Sequence, residues 1–239
     1  MGSMSRMRLG SLTVAQVALV ASAAAPTSAL SAQVLNRTLD EGTFLISRNG
    51  APIGRESFRI TRSESPGGDA YQATAQVALG DRRIVPTLTC DSAGAPVAYD
   101  VAVQGGPDGA RLQARARPGR FSSLLRTRDG ESTREFVVPH GVVVLDDDVL
   151  HQLYFVTLAR RSGSLTIVSP RSGLQAVATL ENHGASTVDI GGKAIPATHF
   201  ALSAPGFARR EFWIDSAGRV LRVSMPDRGI IAQRDEPPR

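Results

Sequence analysis

The sequence is poor in cysteine, lysine and aromatic residues. Its 239 residues include one cysteine, Cys90, one tryptophan, Trp213, and one lysine, Lys193, and aromatic residues make up 5% of the chain. A single thiol cannot form an intramolecular disulfide, so Cys90 is expected to be a small buried residue on a strand. So few aromatic residues also argue against the two aromatic girdles of an outer-membrane barrel.

Recognisable motifs for catalysis, metal binding and nucleotide binding are missing as well. The four histidines show neither the HxxxH nor the HExxH spacing of zinc sites, and they are His140, His151, His183 and His199. No G-x-S-x-G nucleophile elbow and no phosphate-binding G-x-x-x-x-G-K-[ST] loop occurs. We therefore assign no catalytic residue, no metal ligand and no cofactor. An enzyme assembled from scattered residues is left as a less favoured alternative.

The positive charge does not predict a nucleic-acid partner. The formal net charge is +5, and every basic residue except Lys193 is arginine. A nucleic-acid surface would need basic residues clustered with aromatic ones, whereas the arginine-rich stretch 111–128 contains Phe121 as its only aromatic residue. We interpret this stretch as the solvated face of strands.

The first 32 residues have the order of chemistries that marks a secretory signal. Arg6 and Arg8 precede the uncharged, alanine-rich stretch Leu9–Ala25, as in the positive and apolar regions of a signal peptide. A transmembrane anchor needs roughly 20 strongly apolar residues, and this stretch is too short and too polar. The segment therefore predicts export rather than anchoring.

Cleavage is expected after Ala29 or Ala32, where small residues follow the apolar stretch. Residues 1–32 are then the signal peptide, and residues 33–239 form a single β-rich domain with no further apolar span. The predicted location is outside the cytoplasm, either periplasmic or secreted, with no integral membrane segment after cleavage.

Alternation of polar and apolar residues dominates the rest of the chain. In Arg111–Arg117 every second residue is apolar, and the same period appears in Tyr71–Leu79 and in Leu221–Met225. This period places one face of a strand in water and the other on a core. Frequent turn signals between these stretches indicate antiparallel hairpins. The predicted fold class is mainly β, with a long curved antiparallel sheet or an open β-barrel.

One stretch, at about 146–161, departs from this period and predicts a central helix around which the sheet wraps. Its apolar residues Leu150, Leu153, Tyr154 and Leu158 have the spacing of one helical face. Asp146–Asp148 would cap its start, and basic residues at its end match the helix dipole.

The tetrapeptide Asp-Ser-Ala-Gly occurs twice, at residues 91–94 and 215–218. Aspartate at the first position and glycine at the last suit a type I hairpin turn. We interpret the repeat as recurring turn chemistry rather than as a duplicated domain.

Three motifs carry a resemblance to known families. They are Gly42-Thr43-Phe44, Ile53-Gly54-Arg55-Glu56-Ser57-Phe58 and the closing stretch Phe212–Leu221. With the central helix, they resemble secreted bacterial proteins of the DUF6134 and DUF3108 kind. The resemblance implies an architecture similar to that of periplasmic lipoprotein carriers (LolA/LolB-like), in which a curved antiparallel sheet wraps a helix around an apolar cavity. These families have no established activity, so the resemblance implies no functional residue.

Two functions follow as hypotheses. The first is an exported binding or carrier module for an apolar, lipid-like ligand, because concave sheets form such pockets. Its candidate ligand-binding residues are Trp213 and Tyr154, which would line the mouth of the concavity with an aromatic body and a polar group. The alternative is a structural or envelope-interaction protein without a small ligand. The oligomeric state is left open.

Overall fold

A computed structural model describes residues 1–2, 35–64, 68–106, 109–138, 141–159 and 161–239. The predicted signal peptide, residues 1–32, lies outside these described residues except for its first two positions. By contacts the chain divides into two units, and every described strand belongs to the unit Ala32–Arg239.

The described chain is mainly β, as predicted. Strands make up 67% of the described residues, against a single α-helix of seven residues in the same part of the chain. The first eight strands follow one another as β1 (Leu35–Arg48), β2 (Ala51–Glu64), β3 (Ala70–Leu79), β4 (Arg82–Asp91), β5 (Pro96–Gln104), β6 (Ala110–Arg117), β7 (Arg120–Thr127) and β8 (Gly130–Val137).

The remaining elements contain the helix. They are β9 (Val143–Val144), α1 (Leu153–Ala159), β10 (Gly163–Ser169), β11 (Leu174–Ile190), β12 (Lys193–Ser203), β13 (Arg210–Ile214), β14 (Val220–Met225), a 3-10 helix (Pro226–Arg228) and β15 (Ile230–Arg234).

All fifteen described strands form one sheet in the order β8-β7-β6-β5-β4-β3-β2-β1-β15-β14-β13-β12-β11-β10-β9. Neighbouring strands are antiparallel, apart from the short parallel pair β9–β10. The first and last strands of the domain, β1 and β15, pair with each other in the middle. The two edge strands, β8 and β9, are not paired with each other, so the sheet is open.

Side chains bridge the two ends of this open sheet. The Gln175 amide at the start of β11 donates to the Val137 carbonyl of β8 over 2.7 Å. Arg134 of β8 donates to the Gly173 carbonyl just before β11. These bonds cover part of an edge strand that would otherwise present unpaired backbone groups.

The predicted alternation decides which side chains enter the core. Tyr71, Ala73, Ala75 and Val77 of β3 are buried, whereas the residues between them are more exposed. Leu112 and Ala114 of β6 are buried between exposed polar residues. We call the face that carries these residues the inner face and the opposite one the outer face.

The segment 142–157 fills the inner face. Its buried apolar side chains, including Leu145, Leu153 and Phe155, belong to the same cluster as inward residues of strands from both halves of the sheet. Burying each such side chain contributes about 1.5–3 kcal/mol. The sheet therefore wraps this segment, as predicted.

The helix itself is shorter than expected. It spans Leu153–Ala159 rather than about 146–161. Residues 150–152 form tight turns, in which the backbone N–H of each residue from Leu153 to Phe155 donates to the carbonyl of the residue three positions earlier. Asp148 has a left-handed φ of 64°, which interrupts a helix. The acidic triplet therefore lies before the helix and does not cap it.

Both Asp-Ser-Ala-Gly turns have the same geometry, which confirms the interpretation as turn chemistry. In each, the aspartate Oδ1 accepts backbone N–H bonds of 2.9 Å from the residues two and four positions later. The closing residues Gly94 and Gly218 have φ of 82° and 81°, a conformation that glycine adopts without steric cost. Cys90, just before the first turn, is buried as predicted, and burial raises the pKa of its thiol.

Candidate functional site

Trp213 lies on the outer face of β13. Its neighbours Phe212 and Ile214 point inward and are buried, and Trp213 is half-buried. The antiparallel register places His199 of β12 on one side of it and Arg222 of β14 on the other. The His199 ring stacks on the indole with centroids 4.4 Å apart and planes 2° apart. The Arg222 guanidinium lies 5.3 Å from the indole centroid.

The stack continues to His183 on β11. The register of β11 against β12 shifts between Asn182 and Gly184. His183 lies at this shift, and its ring is 4.9 Å from the His199 ring. We call the row His183, His199, Trp213 and Arg222 the outer-face ladder. It crosses four consecutive strands of the sheet and presents rings and a guanidinium to solvent.

Acidic residues flank the outer-face ladder. Glu181 lies 3.5 Å from His183, and Glu211 lies 3.5 Å from His199 and 3.2 Å from Arg209. Burial lowers the pKa of His199, and the negative charge of Glu211 opposes part of this shift. The ladder and the acidic residues beside it therefore bring aromatic, cationic and anionic groups within a few ångströms of one another.

The β11–β12 hairpin supports the ladder from one side. Only Thr198–Leu202 of β12 pair with β13, so the hairpin beyond them leaves the plane of the sheet. Its residues Val188 and Ile190 pack with Leu221 and Trp213 in a small second core. The Gln233 amide of β15 donates to the Asp189 carbonyl in this hairpin over 2.7 Å, which holds the hairpin against the outer face.

Tyr154, the second predicted binding residue, lies elsewhere. It sits on α1, packs against the main core, and meets the Phe155 ring edge-on at 5.5 Å. Burial raises the pKa of its hydroxyl. Trp213 packs against the second core on the outer face, so the two side chains do not line one common mouth. Strand parity is the reason, because position 213 points away from the helix. Ligand binding by either residue stays a prediction.

The acidic triplet, expected to cap the helix, is instead the centre of a charge network. Asp146 is buried and accepts bonds from Tyr99 (2.8 Å), Ser169 (3.0 Å) and Arg171 (3.0 Å). Burial raises the pKa of Asp146, and Arg171 opposes part of that rise. The triplet thus ties β5 and β10 to the segment that fills the core.

The other two aspartates face further arginines. Asp147 lies 3.4 Å from Arg210 and 3.5 Å from Arg228. Asp148 lies 3.5 Å from Arg82 and 3.7 Å from Arg171. All four distances are between a guanidinium nitrogen and a carboxylate oxygen. Sequence reasoning missed this role because the partner arginines lie far from the triplet in the chain.

A second buried acidic side chain holds the segment to β2. Glu56 is fully buried and accepts backbone N–H bonds from Leu150 (2.7 Å) and His151 (3.0 Å). Its Oε1 also lies 2.5 Å from the His151 Nδ1, and the His151 ring stacks on Phe58. The signal in the sequence was Glu56 itself, an acidic residue at a position whose parity points inward.

Within the described residues, no group of three histidine, cysteine, aspartate or glutamate side chains is placed to hold a metal ion. In the same residues, no helix combines the length and apolar character needed to cross a membrane.

Comparison with known proteins gives one neighbour. No family model matches the chain, and no curated protein matches it. Among solved structures, the chain is similar to a β-barrel-like protein of a domain of unknown function, DUF1849, from Brucella abortus. The identity is 12%, the match covers 84% of this chain and 95% of that chain, and the TM-score is 0.42. The resemblance to the DUF6134 and DUF3108 proteins and to lipoprotein carriers stays a prediction.

Proposed function

We propose that this chain is an exported β-rich protein that binds another macromolecule of the cell envelope through the outer-face ladder. The order of charged, apolar and small residues in its first 32 positions supports export. The observation that carries the proposal is the row of stacked rings around Trp213, which is half-buried on the outer face.

The composition of this surface supports a protein-type interface. Tryptophan and arginine are enriched at the energetic centres of interfaces, and here Trp213 and Arg222 are adjacent. The same row continues through Gln233 of β15 to Leu45 of β1, whose side chain is 56% exposed. The charged residues around the ladder match the polar rim that surrounds such centres.

A carrier of apolar ligands has less support. The inner face, where such a ligand was expected, is occupied by segment 142–157 and its apolar side chains. A cavity of about 560 Å³ lies beside β1, but most of its lining side chains are polar or charged. Apolar ligands favour sites with predominantly apolar linings, so we favour the interaction role.

The proposal is tested by photo-crosslinking in the bacterium that produces the protein. A photoreactive amino acid replaces Arg222 on the ladder or, as a matched control, the exposed Arg117 of β6. We expect position 222, and not position 117, to give a discrete crosslinked product. Identical products from both positions would contradict the proposal.

Two measurements on the exported protein complete the test. Intact mass is expected to place the first residue between Ser28 and Val34, whereas a mass that retains Met1–Ala25 would rule out the signal. Organic extraction is expected to release no lipid in molar amounts. Stoichiometric lipid, together with a change in Trp213 emission on adding fatty acid, would favour the carrier hypothesis.

A further inference from the structure

The cavity beside β1 lies where the sheet loses a strand pair. β15 ends at Arg234 opposite Phe44, so residues 35–43 of β1 pair with β2 alone. Residues 235–239 form another wall of the cavity, whose volume of about 560 Å³ falls within the usual range for small-ligand sites. The lining residues that matter for its chemistry are Asp40, Glu41, Phe58, Arg59, Asp235 and Glu236.

Asp40 contributes a buried carboxylate that is only half satisfied. Its side chain is 2% exposed, and one oxygen accepts a bond of 2.5 Å from Arg234. The other oxygen, Oδ1, has no hydrogen-bond partner within the described residues. Arg234 also donates to the carbonyls of Val220 and Glu41, so its guanidinium is already engaged. Burial raises the pKa of Asp40 against the opposing effect of Arg234, as expected for incomplete compensation.

Asp235 supplies a second free carboxylate. Its backbone N–H donates to the Thr43 carbonyl over 3.1 Å, which fixes the residue next to β1. In the part of the chain that the structure describes, its side chain has no ion-pair partner. The other two acidic groups of the lining are paired, Glu41 with Arg59 at 2.9 Å and Glu236 with Arg239 at 3.5 Å.

We propose that this cavity binds a primary ammonium or guanidinium group. Such a group donates one bond to Asp40 Oδ1 and places its positive charge near Asp235. Charge-assisted bonds of this kind are stronger than neutral ones, and a bound cation satisfies a buried oxygen that otherwise costs stability. The site is separate from the outer-face ladder and does not depend on the function proposed for it. Two sources share this chemistry, a free amine and a lysine or arginine side chain of a peptide, and the experiment below distinguishes them.

Isothermal titration calorimetry of the full exported protein tests this site. The probes are n-butylammonium, N-acetyl-lysine methylamide and, as an uncharged control, n-butanol. We expect heat of binding from both ammonium probes and none from n-butanol. Equal affinities for the two ammonium probes would support a free-amine site, and tighter binding of the capped lysine would support a peptide side chain.

Two substitutions then locate the site. Asp235→Asn is expected to weaken binding of the ammonium probes about tenfold, which corresponds to about 1.4 kcal/mol. Asp129→Asn, in the turn between β7 and β8, is the matched control and is expected to leave binding unchanged. Asp40→Asn is expected to abolish binding. If the Asp40→Asn variant does not fold, the result for Asp235→Asn alone decides. Absence of heat from both ammonium probes, or unchanged binding by Asp235→Asn, would overturn the proposal.

Discussion

Glu56 and His151 form a buried pair across the inner face, with the Glu56 Oε1 2.5 Å from the His151 Nδ1. Both side chains are fully buried. Glu56 also accepts the backbone N–H groups of residues 150 and 151. One carboxylate on β2 therefore makes three of the bonds that hold the core-filling segment in place.

Removing this carboxylate is expected to loosen the segment. Glu56→Gln replaces the carboxyl group with an amide whose single oxygen cannot accept all three bonds, and a buried donor left unsatisfied costs about 1–3 kcal/mol. Urea unfolding should show this loss of stability. Glu64→Gln, at the exposed end of the same strand, is the control and should stay within about 0.5 kcal/mol of the parent. Equal stability of the two variants would contradict the anchoring role.

A methyl group at Gly54 is expected to disrupt the pairing of β2 with β3. A Cβ there would lie 1.9 Å from the Ala78 carbonyl oxygen, which is backbone and cannot rotate away. We expect Gly54→Ala to lower the free energy of unfolding by about 2–3 kcal/mol. Gly109→Ala is the matched control, because the nearest atom there is 3.9 Å away. A small effect at Gly54 would mean that the two strands separate readily.

The hydroxyl of Tyr99 is expected to contribute measurably to stability. It donates to the buried Asp146 over 2.8 Å, so Tyr99→Phe leaves a carboxylate oxygen with one donor fewer. The expected cost is about 2 kcal/mol in chemical denaturation. Tyr71→Phe removes a hydroxyl from another buried inner-face ring and serves as the comparison. If both substitutions lower the free energy of unfolding by the same amount, the bond to Asp146 makes no specific contribution to stability.

His199 is expected to make stability depend on pH. Its pKa in the folded protein is lower than the ordinary 6.5, so the unfolded chain binds the proton more readily. The contribution of neutral His199 to the free energy of unfolding is therefore complete above about pH 6.5, and it is lost as the pH falls through the pKa of the folded state. Histidine ring NMR should give a midpoint below 6.5, and His199→Gln should flatten the pH dependence of the urea midpoint. A midpoint at or above 6.5 would contradict this.

The strands and turns were predictable because their signals are local. Alternation in Tyr71–Leu79 reports which residues share a face, and the two Asp-Ser-Ala-Gly turns depend on bonds within five residues. The length of the helix was overestimated for a related reason. Its apolar spacing is local, but Asp146 and its neighbours bond to residues as distant as Tyr99 and Arg210, and these bonds compete with helix capping.

The candidate site was only half predictable. Parity placed Trp213 on the polar face of its strand, and the structure agrees, yet its partnership with Tyr154 did not follow. The partners that Trp213 has, His199 and Arg222, depend on the register of three strands. That register follows from turn geometry and from packing of the inner face, neither of which a single strand reveals.

The sequence by itself therefore determined the fold class, the burial of Cys90 and the faces on which strand residues lie. Those properties depend on a two-residue period and on short turns. The tertiary structure alone decided that Glu56 anchors His151, that Asp146–Asp148 gather four arginines, and that Asp40 keeps one oxygen unpaired beside a cavity. Each of these arrangements depends on residues far apart in the chain. The pairing of β1 with β15 brings the first and last strands of the domain together.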